Sequence, residues 1–171
     1  MITFILLAVI LTVLLRRNPL TLVENVSFKW PYLLLGSFAA QLLIFFITTQ
    51  TNRTYPYLTE IAIGAAVVFL WLNRRIPGVA FIFIGALWNL TALVIHGGLM
   101  PVSESALQIA GLSGLPELEP RHQLMSTSSF GWMGDWIPFI RRVFSIGDLW
   151  IGAGIIWFLA GNSLKREKNE G

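Results

Sequence analysis

The chain has 171 residues, of which 55% are hydrophobic and 12% charged, and its mean hydropathy is +0.69. Soluble domains carry about 25% charged residues, so this composition argues against an ordinary soluble domain and favours a protein that uses the bilayer as solvent. The lack of cysteine excludes disulfides, thiolate metal sites and cysteine nucleophiles. The formal charge of +3 does not indicate nucleic-acid binding, because the basic residues stand in short clusters beside apolar runs, a pattern typical of membrane topology signals.

Five apolar runs follow one another along the chain, at residues 2–15, 31–49, 57–72, 78–96 and 144–161. A membrane-spanning helix needs about 20 residues, within a range of about 17–25. The second, fourth and fifth runs meet this requirement, the third is marginal and the first is short. The first run has no basic segment before it and no small-residue cleavage site, so we interpret it as a retained helix. The predicted fold class is an all-α integral membrane protein, with residues 1–171 forming a single five-helix transmembrane bundle.

The positions of Lys and Arg predict the orientation of this bundle. With the N-terminus outside, eight of the 12 basic residues fall in cytoplasmic segments and four in outer segments. The positive-inside rule therefore places the N-terminus outside the membrane and the C-terminus in the cytoplasm.

Residues 97–143 form a long outer loop between the fourth and fifth runs. Loops of this length are usually functional or disordered, but this one has structural signals, including Ser103 as the N-cap of a short helix. Residues 130–139 are aromatic and apolar, interrupted by Gly and Pro. Because Trp and Tyr favour the membrane interface, we expect an ordered loop that lies on the outer leaflet and folds back over the helix ends.

Two amides are predicted to lie near the middle of the membrane. Gln41 and Asn89 each come about 15 Å into their runs, at 1.5 Å per residue. Unsatisfied polar groups are costly at that depth, so both side chains should face the interior of the bundle. They are either interhelical hydrogen-bonding groups that fix packing or groups that line a substrate path.

Five ionisable residues are predicted at the outer rim of the bundle. Glu60, His96 and Asp148 each stand at the outer end of a run, beneath the loop that carries His122 and Asp135. Together they could form a metal site, an acid–base pair or a cation-binding mouth. Their spacing matches no metal motif, so the sequence predicts no metal and no cofactor.

Each rim residue also has a structural interpretation. Glu60 suits the first turn of a helix, and His96 suits a last turn before two glycines. Ser145 and Asp148 have the spacing of a capping box. The outer arginines Arg121, Arg141 and Arg142 either bind a lipid phosphate or pair with neighbouring carboxylates.

Several short motifs in order resemble those of DUF5317, a family of small bacterial membrane proteins of unknown function. They are residues 29–31, 73–77, 97–103, 134–138 and 144–148. The resemblance implies a helical fold and a bacterial inner-membrane location, and it implies no activity. It directs attention to the outer loop and its rim, through Pro101, Asp135, Pro138, Ser145 and Asp148.

Three functions remain open from the sequence. The favoured interpretation is a binding or partner module whose outer loop docks a lipid headgroup or another membrane component. The second is a small transporter or channel component with Gln41 and Asn89 as midplane ligands, and the third is a membrane enzyme acting at the outer face. The expected partners are the lipid bilayer, a lipid headgroup or membrane protein, and further copies of the chain in a homo-oligomer, with no nucleic acid.

Overall fold

The computed structural model describes residues 2–21, 26–51, 53, 55–112 and 122–165. The helices in this part of the chain are α1 (Ile2–Leu14), α2 (Pro31–Thr51), α3 (Pro56–Leu72), α4 (Val79–Ile95), α5 (Glu104–Ile109) and α6 (Ile146–Asn162). The strands are β1 (Arg17–Asn18), β2 (Met100–Val102), β3 (His122–Leu124), β4 (Ile137–Phe139), β5 (Arg142–Phe144) and β6 (Leu164–Lys165). The pairs β1–β6 and β4–β5 are antiparallel, and β2–β3 is parallel.

The five longer helices pack one against the next, in an order that differs from their order in the chain. Helix α1 packs against α6, α6 against α4, α4 against α3, and α3 against α2. Residues 97–112 and 122–145, which connect α4 to α6, form a small ordered unit over the C-terminal end of α4. We call this unit the cap.

The prediction of a five-span, all-α bundle is wrong. Among the described residues only α2, with 21 residues, is long and apolar enough to cross a membrane. At 1.5 Å per residue α2 is about 32 Å long, whereas a 17-residue helix such as α3, α4 or α6 is about 26 Å, shorter than the hydrocarbon core of about 30 Å. The fourth and fifth apolar runs are longer than α4 and α6, because the fourth includes Gly78 and His96, which flank α4, and the fifth includes Phe144 of β5.

Helix α2 differs from the core helix of a soluble protein in its exposure. Only 6% of its most apolar stretch is buried within the chain. Leu42 at its centre is 70% exposed, and Leu35 and Phe46 are exposed as well. By length and composition, α2 is a helix that could cross a membrane, and its exposed apolar surface is compatible with membrane association.

Four glycines bring α4 and α6 into close contact. Gly78 lies against Gly154, and Gly85 lies against Gly147, so the two helices cross with a seven-residue spacing on each. A Cβ on Gly154 would come within 2.8 Å of the Gly78 carbonyl oxygen, and one on Gly147 within 2.8 Å of the Gly85 carbonyl oxygen. Small residues allow helix backbones to approach in this way, and the contact places the start of α6 beside the middle of α4, at Gly85 and Asn89.

Candidate functional site

Backbone hydrogen bonds connect the segments of the cap. The Asp135 N–H donates to the Pro101 carbonyl at 2.8 Å, and the Ser103 N–H donates to the Asp135 carbonyl at 2.9 Å. Pro101 and Val102 are fully buried. The indole N–H of Trp88 on α4 donates to the Met133 carbonyl at 3.2 Å, which joins the cap to the bundle. The cap is therefore an ordered platform built from the outer loop.

Asp135 is the buried ionisable group of this platform. Its Oδ2 lies 3.4 Å from Nε2 of His122, and the residue is 8% exposed. Its other carboxyl oxygen, Oδ1, is buried and has no hydrogen-bond partner among the described residues. Burial raises the pKa of Asp135 above its ordinary value, the hydrogen bond with His122 opposes the rise, and the charge of Asp148 adds to it.

The β4–β5 hairpin brings Asp135 towards Asp148. Ile137 pairs with Phe144, and the Trp136 N–H donates to the Phe144 carbonyl at 3.1 Å. Continuing that antiparallel register places Asp135 beside the first turn of α6, where Asp148 lies. The hairpin thus explains why residues 13 positions apart in sequence interact electrostatically.

Asn89, Ser145 and Asp148 form a closed hydrogen-bond network at the α4–α6 contact. The predicted capping box is present: the Ser145 N–H donates to Asp148 Oδ2 at 3.1 Å, and the Asp148 N–H donates to Ser145 Oγ at 3.0 Å. Asn89 Nδ2 donates to Asp148 Oδ1 at 3.1 Å, and Ser145 Oγ donates to Asn89 Oδ1 at 2.9 Å. The two hydrogen bonds of Asn89 link α4 to the start of α6 and stabilise the junction between the bundle and the cap.

His96 connects the end of α4 to the cap. Its Nδ1 lies 2.6 Å from the Ala92 carbonyl oxygen, and its Nε2 lies 2.6 Å from the Ser129 carbonyl oxygen. Carbonyl oxygens only accept, so each contact is a hydrogen bond when the facing ring nitrogen carries a proton. His96 is thereby engaged with backbone groups, away from the Asp135–His122 pair.

The structure does not bring the remaining predicted residues into this cluster. Glu60 is half-buried, lies just after the first turn of α3, and has no hydrogen bond or ion pair with a described residue. Gln41 donates to Ser37 Oγ at 3.0 Å, and Ser37 in turn donates to the Ala62 carbonyl at 2.7 Å, so Gln41 belongs to the α2–α3 contact. Gln41 and Asn89 lie in different helix pairs, and a substrate-lining role for them stays a prediction.

No three His, Asp or Glu side chains come together as a metal-ligand set within the part of the chain that the structure describes. Arg121, with the carboxylates Glu117 and Glu119, falls outside the described residues. Arg141 and Arg142 lie at the tip of the β4–β5 hairpin, and both are exposed.

Asn73, at the opposite end of the bundle, is a structural residue that the sequence reasoning missed. Its side chain is 3% exposed, accepts a hydrogen bond from the Lys29 N–H at 2.8 Å and donates to the Lys29 carbonyl at 3.0 Å. It also donates to the Phe69 carbonyl at 2.8 Å. The available signal was the occurrence of two similar segments, residues 29–31 and 73–77, each with basic residues before a proline.

Comparison with known proteins places the chain in a family. A family model described as a family of unknown function, DUF5317, matches residues 25–160, so the chain belongs to DUF5317 and the resemblance noted from the motifs is confirmed. An uncharacterized protein of Thermotoga maritima is 33% identical over 98 residues, which cover 53% of this chain and 54% of that protein. The chain thus spans about half the length of the curated relative it matches. No solved structure matches the chain.

Proposed function

We propose that this DUF5317 protein is a membrane-anchored binding module of the bacterial inner membrane. In this proposal α2 enters the bilayer, and the cap docks another protein of the membrane.

Membrane anchoring is supported by the exposure of α2. Large apolar side chains such as Leu42 and Phe46 on its surface are exposed, and the described residues leave them uncovered. Exposed apolar area of this extent marks a protein or membrane contact in ordinary proteins, and the length of α2 fits the hydrocarbon core.

The observation that carries the binding proposal is the exposed apolar surface of the cap. Ile140 is 81% exposed, Trp132 is 54% exposed, and Phe130 and Trp136 are exposed beside them. These side chains project from a backbone that the hydrogen bonds to Pro101, Ser103 and Trp88 already hold in place. A surface that is ordered before binding loses less conformational entropy when a partner docks.

The composition of this surface favours a protein partner. Trp and Arg are enriched among the residues that dominate the energy of protein interfaces. Arg141 and Arg142 stand next to Ile140 at the hairpin tip, and neither guanidinium has a hydrogen bond or ion pair with a described residue. We call residues Phe130, Trp132, Trp136, Ile140, Arg141 and Arg142 the docking surface.

Photo-crosslinking in native membranes tests this proposal. A photoreactive amino acid replaces Trp132 in one variant and Ser105, an exposed polar residue on α5, in a matched control. We expect illumination to yield a discrete protein adduct from position 132 and none from position 105. Adducts from both positions alike, adducts with lipid only, or none from position 132 would contradict a protein partner at the docking surface.

A further inference from the structure

The basic clusters that are separate in sequence come together at the end of the bundle opposite the cap. Arg16, Lys29, Arg74 and Arg75 are exposed there, and Arg17 is half-buried beside them. We call these five residues the basic end. In the sequence the clusters had the appearance of independent topology signals, and only the fold joins them into one surface.

Specific contacts hold the segments of the basic end together. Asn73 binds the backbone of Lys29 through two hydrogen bonds, which joins the start of α2 to the end of α3. Arg17 Nη1 donates to the Ser163 carbonyl at 2.9 Å, and Arg17 pairs with Lys165 in the β1–β6 sheet. Asn162 Nδ2 donates to the Pro77 carbonyl at 3.2 Å, which joins α6 to the start of α4.

The acidic residues that the structure describes lie elsewhere. They are Glu60 near the start of α3, Glu104 and Asp135 in the cap, and Asp148 in the first turn of α6. Among described residues, therefore, no carboxylate stands in the basic end, and its positive charges are not neutralised by ion pairs within this part of the chain.

Exposed aromatic residues border the basic end. Trp30 is 57% exposed, and its ring packs against Tyr32 with centroids 5.4 Å apart. The guanidinium carbon of Arg74 lies 3.7 Å from the centre of the Trp71 ring. Trp and Tyr concentrate at the headgroup level of membranes, and Trp30 and Tyr32 stand at the start of α2.

We propose that the basic end is a binding surface for anionic phospholipid headgroups. The inference rests on the membrane anchoring proposed above but concerns a different surface from the docking surface of the cap. Basic residues next to a membrane-inserted helix attract anionic lipids, and guanidinium groups bind phosphate oxygens in bidentate geometry. The bordering aromatic rings and the apolar α2 favour a lipid headgroup over a soluble polyanion, because they match the interface and the acyl region.

Site-specific fluorescence in lipid nanodiscs tests this inference with the full chain. The chain has no cysteine, so Ser27→Cys places a single nitrobenzoxadiazole probe two residues from Lys29. Quenching is compared between spin-labelled phosphatidylglycerol and spin-labelled phosphatidylcholine at equal fractions in phosphatidylcholine discs. We expect the anionic lipid to quench more strongly, because it accumulates around the basic end.

Two charge-matched variants locate the effect. Arg74→Gln with Arg75→Gln removes two charges from the basic end, and Arg141→Gln with Arg142→Gln removes two from the cap. At about 1 kcal/mol for each basic residue near the surface, the first variant loses up to about 30-fold in preference for the anionic lipid, and the second keeps the native preference.

The other outcomes overturn the inference in distinguishable ways. Equal quenching by both lipids, or equal losses in the two variants, overturns the basic end as an anionic-lipid site and leaves the membrane anchor standing. Quenching by neither lipid overturns the anchor as well. Relief of quenching by equimolar duplex DNA shows a general polyanion surface and also overturns a lipid-specific site.

Discussion

Replacing Gly147 with alanine tests the close contact of α4 and α6 on which the cap depends. The added Cβ would lie 2.7 Å from Cγ of Asn89 and 2.8 Å from the Gly85 carbonyl oxygen, so the helices must separate or Asn89 must move. Overpacking of this kind costs about 1–3 kcal/mol. Loss of the hydrogen bonds from Asn89 to Asp148 and from Ser145 to Asn89 adds about 1 kcal/mol each. We therefore expect Gly147→Ala to lower the free energy of unfolding by about 3–5 kcal/mol.

Gly64→Ala provides a matched control for this change. Gly64 lies inside α3, and a Cβ there has nothing within 4 Å, so alanine should stabilise the chain by up to about 1 kcal/mol through its higher helix propensity. Denaturant unfolding of both variants in the same detergent, followed by tryptophan fluorescence and far-UV circular dichroism, gives the comparison. If Gly147→Ala unfolds at the same denaturant concentration as Gly64→Ala, the account of the helix contact is wrong.

Three further substitutions address the other structural groups. Asn73→Ala leaves the Lys29 N–H and carbonyl without their side-chain partner and should lower the free energy of unfolding by about 2–3 kcal/mol, measured by the same denaturant titration; a loss below about 0.5 kcal/mol would refute this role. Ser145→Ala removes the N-cap of α6 and should cost about 1–2 kcal/mol, whereas Ser105→Ala on the exposed face of α5 should change stability little. Because the folded chain raises the pKa of Asp135, the folded state binds this proton more tightly than the unfolded state, and stability falls as pH rises from about 4 through the folded pKa. Asp135→Asn lacks this dependence, so its stability relative to the native chain should increase over that pH range in unfolding titrations, and a constant difference would contradict the burial of the charge.

The sequence predicted local features, such as helix caps and interhelical hydrogen bonds, better than it predicted the fold class. The Ser145–Asp148 capping box, the short helix after Ser103 and an interhelical role for Asn89 follow from residue types at particular spacings, and the structure contains all three. These features depend on neighbours in sequence or on the cost of leaving a buried amide unpaired.

The number of spans was mispredicted because hydropathy does not locate helix ends. Residues 78 and 96 belonged to one apolar run, but Gly78 adopts a left-handed conformation before α4, and His96 ends the helix. The three small sheets were missed for a related reason. Strands of two or three residues carry too little alternation for a pattern, and Met100–Val102 pairs with a segment distant in sequence, His122–Leu124.

The pairing of Asp135 with His122, and the union of the basic clusters, could not be read from sequence spacing. Both depend on long-range register: the first on the bridge between Val102 and Asp135 and on the parallel β2–β3 pair, the second on Asn73 binding Lys29 across 44 residues. Glu60 was predicted to join the rim cluster but lies outside it. Its position at the outer end of an apolar run predicted its depth in the bundle, but depth alone does not fix the side of the bundle on which a residue lies.

The reactivity of a cysteine at position 42 in native membranes tests the membrane anchor most directly. Leu42 is 70% exposed in the chain alone, so nothing within the described protein would protect Leu42→Cys from a water-soluble maleimide. The account predicts that this thiol is unreactive in intact membranes, while Ser105→Cys in the cap reacts readily, and that both react after denaturation. Equal labelling of the two positions in intact membranes would contradict the proposal that α2 lies in the bilayer.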